Sequence, residues 1–164
     1  PLQRGAAWLD LDVLLKVAAA DIVGADLRPG QGPAYRLQRV AGGGFALAPP
    51  NDRRVVVAAL GPAMVAEALT RLIPTDVAPA PEVATGAPLA EHITRLKSGV
   101  AIVVRCWQAR GRDWVTVSAA TSEGASTDAV AMAARINARA APWAYALAEL
   151  DWNAFSTPLH AIAD

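Results

Sequence analysis

VAIVVRCWQARGRDWVTVSA, Val100 to Ala119, holds two runs rich in β-branched and aromatic residues around the polar turn Ala109-Arg110-Gly111-Arg112-Asp113. That pattern predicts a β-hairpin. An ungapped shift of 69 positions lays an upstream stretch on it, with Leu27 on Leu96, Gly30 on Gly99, Arg36 on Arg105, Gly42 on Gly111 and Phe45 on Trp114. The expected fold class is therefore α+β: two similar units, each an antiparallel β-meander followed by a helix, with an extra C-terminal strand and helix. The units are residues 1–73 and 90–164, joined by a Pro-rich connector at 74–89 that carries Pro74, Pro79, Pro81 and Pro88.

A chain of 164 residues buries roughly 70% of its unfolded surface, so a sizeable core needs no disulfide. Fifteen basic residues balance fifteen acidic ones, and neither sign forms a block. A nucleic-acid footprint or a membrane-surface patch is not expected from such a balance. The single cysteine, Cys106, lies within an apolar strand pattern, where it reads as a small buried hydrophobe. The most apolar run, Val55 to Ala66, is interrupted by Gly61 and Pro62 and falls short of the ~20 residues that span a bilayer. Direct membrane insertion by these residues is not expected. Pro1 follows no initiator methionine and no charged-then-apolar leader, so the sequence reads as a piece of something longer.

Along the chain, residues 1–20 predict a short turn or helix that packs its apolar residues on the first unit. Ile22 to Arg28 reads as a strand, Pro29-Gly30-Gln31-Gly32-Pro33 as a turn, and Tyr35 to Val40 as a half-exposed strand. Gly42-Gly43-Gly44 turns back into Phe45-Ala46-Leu47-Ala48. Arg53 to Val57 has β-branched character, and Pro62 then opens a helix to about Ile73. In the second unit, His92 to Leu96 is a strand before a Lys97-Ser98-Gly99 turn. The first hairpin strand is apolar on both alternating faces and is expected to be covered on both, with Arg105 at an edge or beside a carboxylate. Ser126 or Thr127 caps a helix from about Asp128 to Ala140, with Val130, Ala133, Ala134 and Ile136 toward the sheet. Pro142 ends it. Trp143 to Leu147 is a short strand, and Asp151 caps a last helix carrying Trp152, Phe155, Leu159 and Ile162, which Pro158 kinks or divides.

No pattern of catalytic chemistry emerges, and no enzyme activity, cofactor or metal is expected. The triple glycine lacks the GxxxxGK[ST] frame and leads into a strand, so it reads as a hairpin turn rather than a phosphate loop. His92 and His160 belong to no HxxxH or HExxH spacing and read as surface or edge histidines. No serine sits in a GxSxG elbow. The five tryptophans, Trp8, Trp107, Trp114, Trp143 and Trp152, admit two readings. One is core and sheet packing, with Trp107 and Trp114 paired across the hairpin. The other is an exposed aromatic interaction surface formed by Trp107, Trp143 and Trp152.

The order Trp8-Leu9-Asp10, Asp21-Ile22, Asp76-Val77-Ala78-Pro79, Trp114 to Ala119 and Ile136-Asn137 through Trp143-Ala144-Tyr145 resembles domain-of-unknown-function family 4340, a group of bacterial envelope proteins. The resemblance runs over nearly the whole chain, with Phe45 where a tryptophan commonly ends the first hairpin. It implies an N-terminal membrane anchor ahead of Pro1, an extracytoplasmic (periplasmic or cell-envelope) location, and association with an ABC transport system of the gliding-motility auxiliary type. It carries over no catalytic residues. The expected function is a non-catalytic accessory or interaction module with an envelope or transporter subunit as protein partner. The alternative is an extracytoplasmic glycan- or small-ligand-binding domain that uses exposed tryptophans.

Overall fold

A computed structural model describes residues 17–49 and 61–162. The expected turn or helix at the N-terminus lies almost wholly outside them, as does Arg53 to Val57; only Ala19–Asp21 is seen, as a single 3₁₀ turn. The predicted hairpin is present as β6 (Val100–Ala109) and β7 (Arg112–Thr121), with Trp107 opposite Trp114. Its two-residue turn places Arg110 and Gly111 at φ 55° and 69°, the doubly positive geometry that matches the twist of the flanking strands.

Around this hairpin stand β1 (Ile22–Arg28), β2 (Tyr35–Arg39), β3 (Phe45–Leu47), β4 (Asp76–Pro79), β5 (Ala90–Leu96) and β8 (Trp143–Leu147). All eight hydrogen-bond into one antiparallel sheet in the order β3-β2-β1-β5-β6-β7-β8-β4. Period-two burial then assigns the faces. Ala90, His92, Thr94 and Leu96 of β5 and Val100, Ile102, Val104 and Cys106 of β6 are buried, while the residues between them up to Arg105 are half-buried.

Three helices lie on that buried face: α1 (Pro62–Ala66), α2 (Thr127–Arg139) and α3 (Glu149–Ser156). Their inward residues Val65, Ala133, Ile136 and Phe155 join Ile22, Leu27, Leu37, Ile102, Val117 and Tyr145 in the main core. The helix expected from Pro62 to Ile73 is divided: α1 ends at Ala66 and a 3₁₀ turn, Ala68–Arg71, follows. The steric bias of a residue before proline away from helical backbone keeps Ile73, ahead of Pro74, out of the helix. The last helix is likewise cut short by Pro158, and it begins after Ala148, so Asp151 sits in its first turn rather than at its cap.

Ser126 caps α2 as expected, its Oγ accepting from the Ala129 N–H at 3.2 Å. Of the four residues expected toward the sheet, Ala133 and Ile136 are buried and Val130 and Ala134 are exposed. Ala129, Ala133, Ile136 and Ala140 point inward, and Val130 is 51% exposed. Asn137 ties this helix to the sheet. β8 pairs with β7 only over Asp113 to Thr116, which leaves the outward backbone groups of Ala119 without a strand partner. The Asn137 carboxamide supplies one, accepting from Ala119 N–H and donating to Ala119 C=O, both at 2.8 Å. Asn137→Ala removes both bonds at a part-buried site, an expected loss of about 2 kcal/mol that a thermal melt reads as a Tm roughly 5 °C lower. An unchanged Tm would make the bridge incidental to helix docking.

The stretch 74–89, expected as a connector, contributes β4 to the sheet, with Asp76 opposite Ala146 and Ala78 opposite Ala144. Pro79 is tolerated because β4 is an edge strand with one side unpaired. Among the described residues three strands, a helix and a strand are followed by the same order again, and Ala25 faces Thr94, its own counterpart under the 69-residue shift. The ungapped correspondence stops there. Gly24 faces Gln38, so the shift requires Ile93 opposite Trp107, whereas Ile93 faces Val103. The β5–β6 turn is thus four residues tighter than the β1–β2 turn, and β4 lies beside β8 rather than β3.

Candidate functional site

The three tryptophans singled out in the sequence do not meet on one surface. Trp107 is buried on the sheet face away from the helices, in a small cluster with Trp114, Ala78, Val83, Ala144 and Ala146. Its Nε1 donates to Thr116 Oγ1 at 3.0 Å. Trp143 and Trp152 are half-buried and pack on the main core instead. Trp152 alone lines a cleft, and its Nε1–H donates to the backbone oxygen of Trp114 at 3.1 Å, which fixes the indole.

That cleft, of about 590 Å³, opens at the end of the sheet where the β1–β2 turn, the start of β5, the end of β6 and α3 with its following turn converge. Local sequence builds it. Gly30 packs so closely on the Leu89 carbonyl that a Cβ there would collide with it, and this holds the β1–β2 turn against the start of β5. Pro158 ends α3, and Tyr35 Oη donates to the Thr157 backbone oxygen at 2.7 Å, tying β2 to the exit of that helix. Burial raises the Tyr35 phenol well above its ordinary pKa, so it remains a neutral donor. The lining combines Leu89, Ala90, Pro158 and Ala161 with the Trp152 ring, the carboxamides of Gln31, Gln108 and Asn153, and Ser156. Among the described residues it carries no ionisable side chain. Sequence reading missed the amides, because Gln31, Gln108 and Asn153 lie far apart in the chain and none belongs to a motif.

The open face of the sheet carries the charge. Asp26 pairs with Arg36 at 2.7 Å and Arg95 at 3.5 Å, and Glu91 pairs with Arg105 at 3.0 Å and Arg28 at 3.7 Å. The carboxylate expected beside Arg105 is thus Glu91. Half-buried Ile93 and Val103 face each other between the two clusters. Among the described residues, the cover expected on both faces of β6 is found on one, apart from the end at Trp107. Gly24 makes the ladder possible: a Cβ there would stand 2.5 Å from the Leu37 oxygen and 2.7 Å from an Arg95 guanidinium nitrogen.

Family models, curated proteins and solved structures were compared with the chain. It matches none of them.

The groups whose titration is shifted lie inside. His92, expected at the surface, is fully buried beneath α1 and α3. Its Nε2–H donates to the Val65 oxygen at 2.7 Å, and the ring meets Phe155 edge-on with centroids 5.2 Å apart. Burial pushes its pKa down to about 4 against the opposing pull of the Val65 bond. Its alternation with Ala90, Thr94 and Leu96 was the missed signal. His160 is exposed on the Leu159–Ala161 turn, as expected. Burial, with a smaller contribution from Asp113, pushes the Cys106 thiol up to about 12, which leaves it a packing residue, as its strand position implied. Among the described residues no three His, Cys, Asp or Glu side chains gather to hold a metal, and no helix is long and apolar enough to cross a membrane.

Proposed function

We propose that the protein is a non-catalytic accessory module of a bacterial cell-envelope assembly, docking an acidic protein partner on the open face of its sheet. The carrying observation is that face. Four guanidinium groups, from Arg28, Arg36, Arg95 and Arg105, stand over two carboxylates, Asp26 and Glu91, with Ile93 and Val103 as an apolar centre. A net positive rim around an apolar strip favours a negatively charged protein surface and steers its approach. The sheet edges are poorer docking sites, since β3 has three residues and β4 four, ending in proline. The resemblance to family 4340 supports an extracytoplasmic setting, an anchor ahead of Pro1 and an ABC-type transporter subunit as the partner. The repeated element order and the Ala25–Thr94 pairing support descent from two related units whose β1–β2 and β5–β6 turns differ by four residues.

A photo-crosslinking amino acid at Val103 tests the docking face in the native envelope. It is expected to give a light-dependent adduct with a transporter subunit, weakened by combined Arg28→Glu and Arg36→Glu. The same probe at Val130, on the helix side, is expected to give none. An adduct from Val130 with none from Val103 would place the partner on the helical layer and end this reading.

A further inference from the structure

We propose that the cleft between the β1–β2 turn and α3 binds a neutral oligosaccharide, separately from the partner surface on the sheet face. The size of the cleft, about 590 Å³, falls within the ~300–1,000 Å³ of small-ligand pockets. Its chemistry narrows the class. A charged ligand would shed its hydration with no counter-charge to meet it, because the described lining has no ionisable group. A purely apolar ligand would cover the carboxamides of Gln31 and Asn153 and the Gln108 oxygen without pairing them.

Sugar hydroxyls donate and accept at one atom, and a carboxamide offers both roles side by side. No described residue engages the amide of Gln31 or Asn153, whereas Gln108 Nε2 is held by Asp113 Oδ1 at 3.0 Å, leaving the Gln108 oxygen to accept. Trp152 adds an aromatic surface that its bond to Trp114 holds in place, suited to the apolar C–H face of a pyranose. Leu89, 47% exposed, forms part of the apolar wall. An extended peptide is disfavoured, because strand addition needs a run of free edge and β5 is paired with β1 from Glu91 onward and with β6 from Ala90 onward, which leaves at most Ala90 open on one side at the cleft.

The test titrates the full chain with chitotetraose and with maltotetraose, reading tryptophan fluorescence and the Trp152 indole N–H resonance. At least one saccharide is expected to give a saturable shift with a Kd of about 1 mM or tighter. Asn153→Ala and Gln31→Ala are each expected to weaken it about fivefold, the factor for one neutral hydrogen bond, with the melting temperature unchanged. Gln31 is exposed on a turn, so its variant remains informative if Asn153→Ala destabilises α3. No saturable shift from either sugar overturns the proposal, as does binding that both substitutions leave intact. Preferential binding of tetra-alanine would reassign the cleft to peptide. The crosslinking result at Val103 is independent of all three outcomes.

Discussion

Trp114→Ala is expected to melt roughly 10–15 °C below the wild type, the consequence of losing ~3–5 kcal/mol when a buried aromatic is truncated. Trp114 is 2% exposed. Its Nε1 donates to the Ala109 oxygen at 3.0 Å across the hairpin turn, and its backbone oxygen accepts from Trp152. Truncation therefore opens a cavity against Trp107, Ala144 and Ala146 and strips a donor from the turn. The Arg112 guanidinium, 5.3 Å from the ring centroid, loses its aromatic partner as well. Phe45→Ala is expected to lower Tm similarly from the other end of the sheet, where Arg39 stands 4.6 Å from its ring. Trp114 and Phe45, counterparts under the 69-residue shift, nonetheless lie on opposite faces. Phe45 belongs to the helix-covered core and Trp114 to the small cluster beyond it. A Trp114→Ala protein that melts like wild type but loses its crosslink would move Trp114 to the functional surface.

Acidification is expected to destabilise the protein through His92 by roughly 3 kcal/mol between pH 7 and pH 4. The folded-state pKa is depressed to about 4, while the unfolded value is about 6.5. Between these values the unfolded chain binds the proton and the folded one does not. The contribution is therefore fully present above pH 6.5, falls as pH drops through the window, and changes no further below about 4. In His92→Gln the side-chain N–H donor toward Val65 remains but the titration is gone. Denaturant midpoints measured from pH 7 to 4 should drop more steeply for wild type than for this variant, the difference isolating His92 from the carboxylates. Parallel slopes for the two proteins would mean that the imidazole is accessible to protons in the native state.

What the sequence determined alone was local. β-branched and aromatic alternation, a glycine turn and a Ser cap are short-range signals, and β6, β7, β8 and the start of α2 appear where those residues dictate. Cys106 in the core and a carboxylate partner for Arg105 also followed from strand position. What failed was whatever depends on distant partners. The Asp76–Pro79 strand has too few residues for a periodic signal and exists because β8 offers it an edge. The bond between Asn137 of α2 and the outward backbone of Ala119, eighteen residues away, has no local signal. His92 is placed by strand parity under a helix whose position no local pattern encodes. The cleft is the clearest case: Gln31, Gln108 and Asn153 carry no motif, and they become one surface only because Gly30 lets a turn close on Leu89 and Pro158 ends a helix above it. Contacts between residues far apart in sequence decide such a site, and the hydrophobic pattern that selects the strands is silent about which of their ends converge.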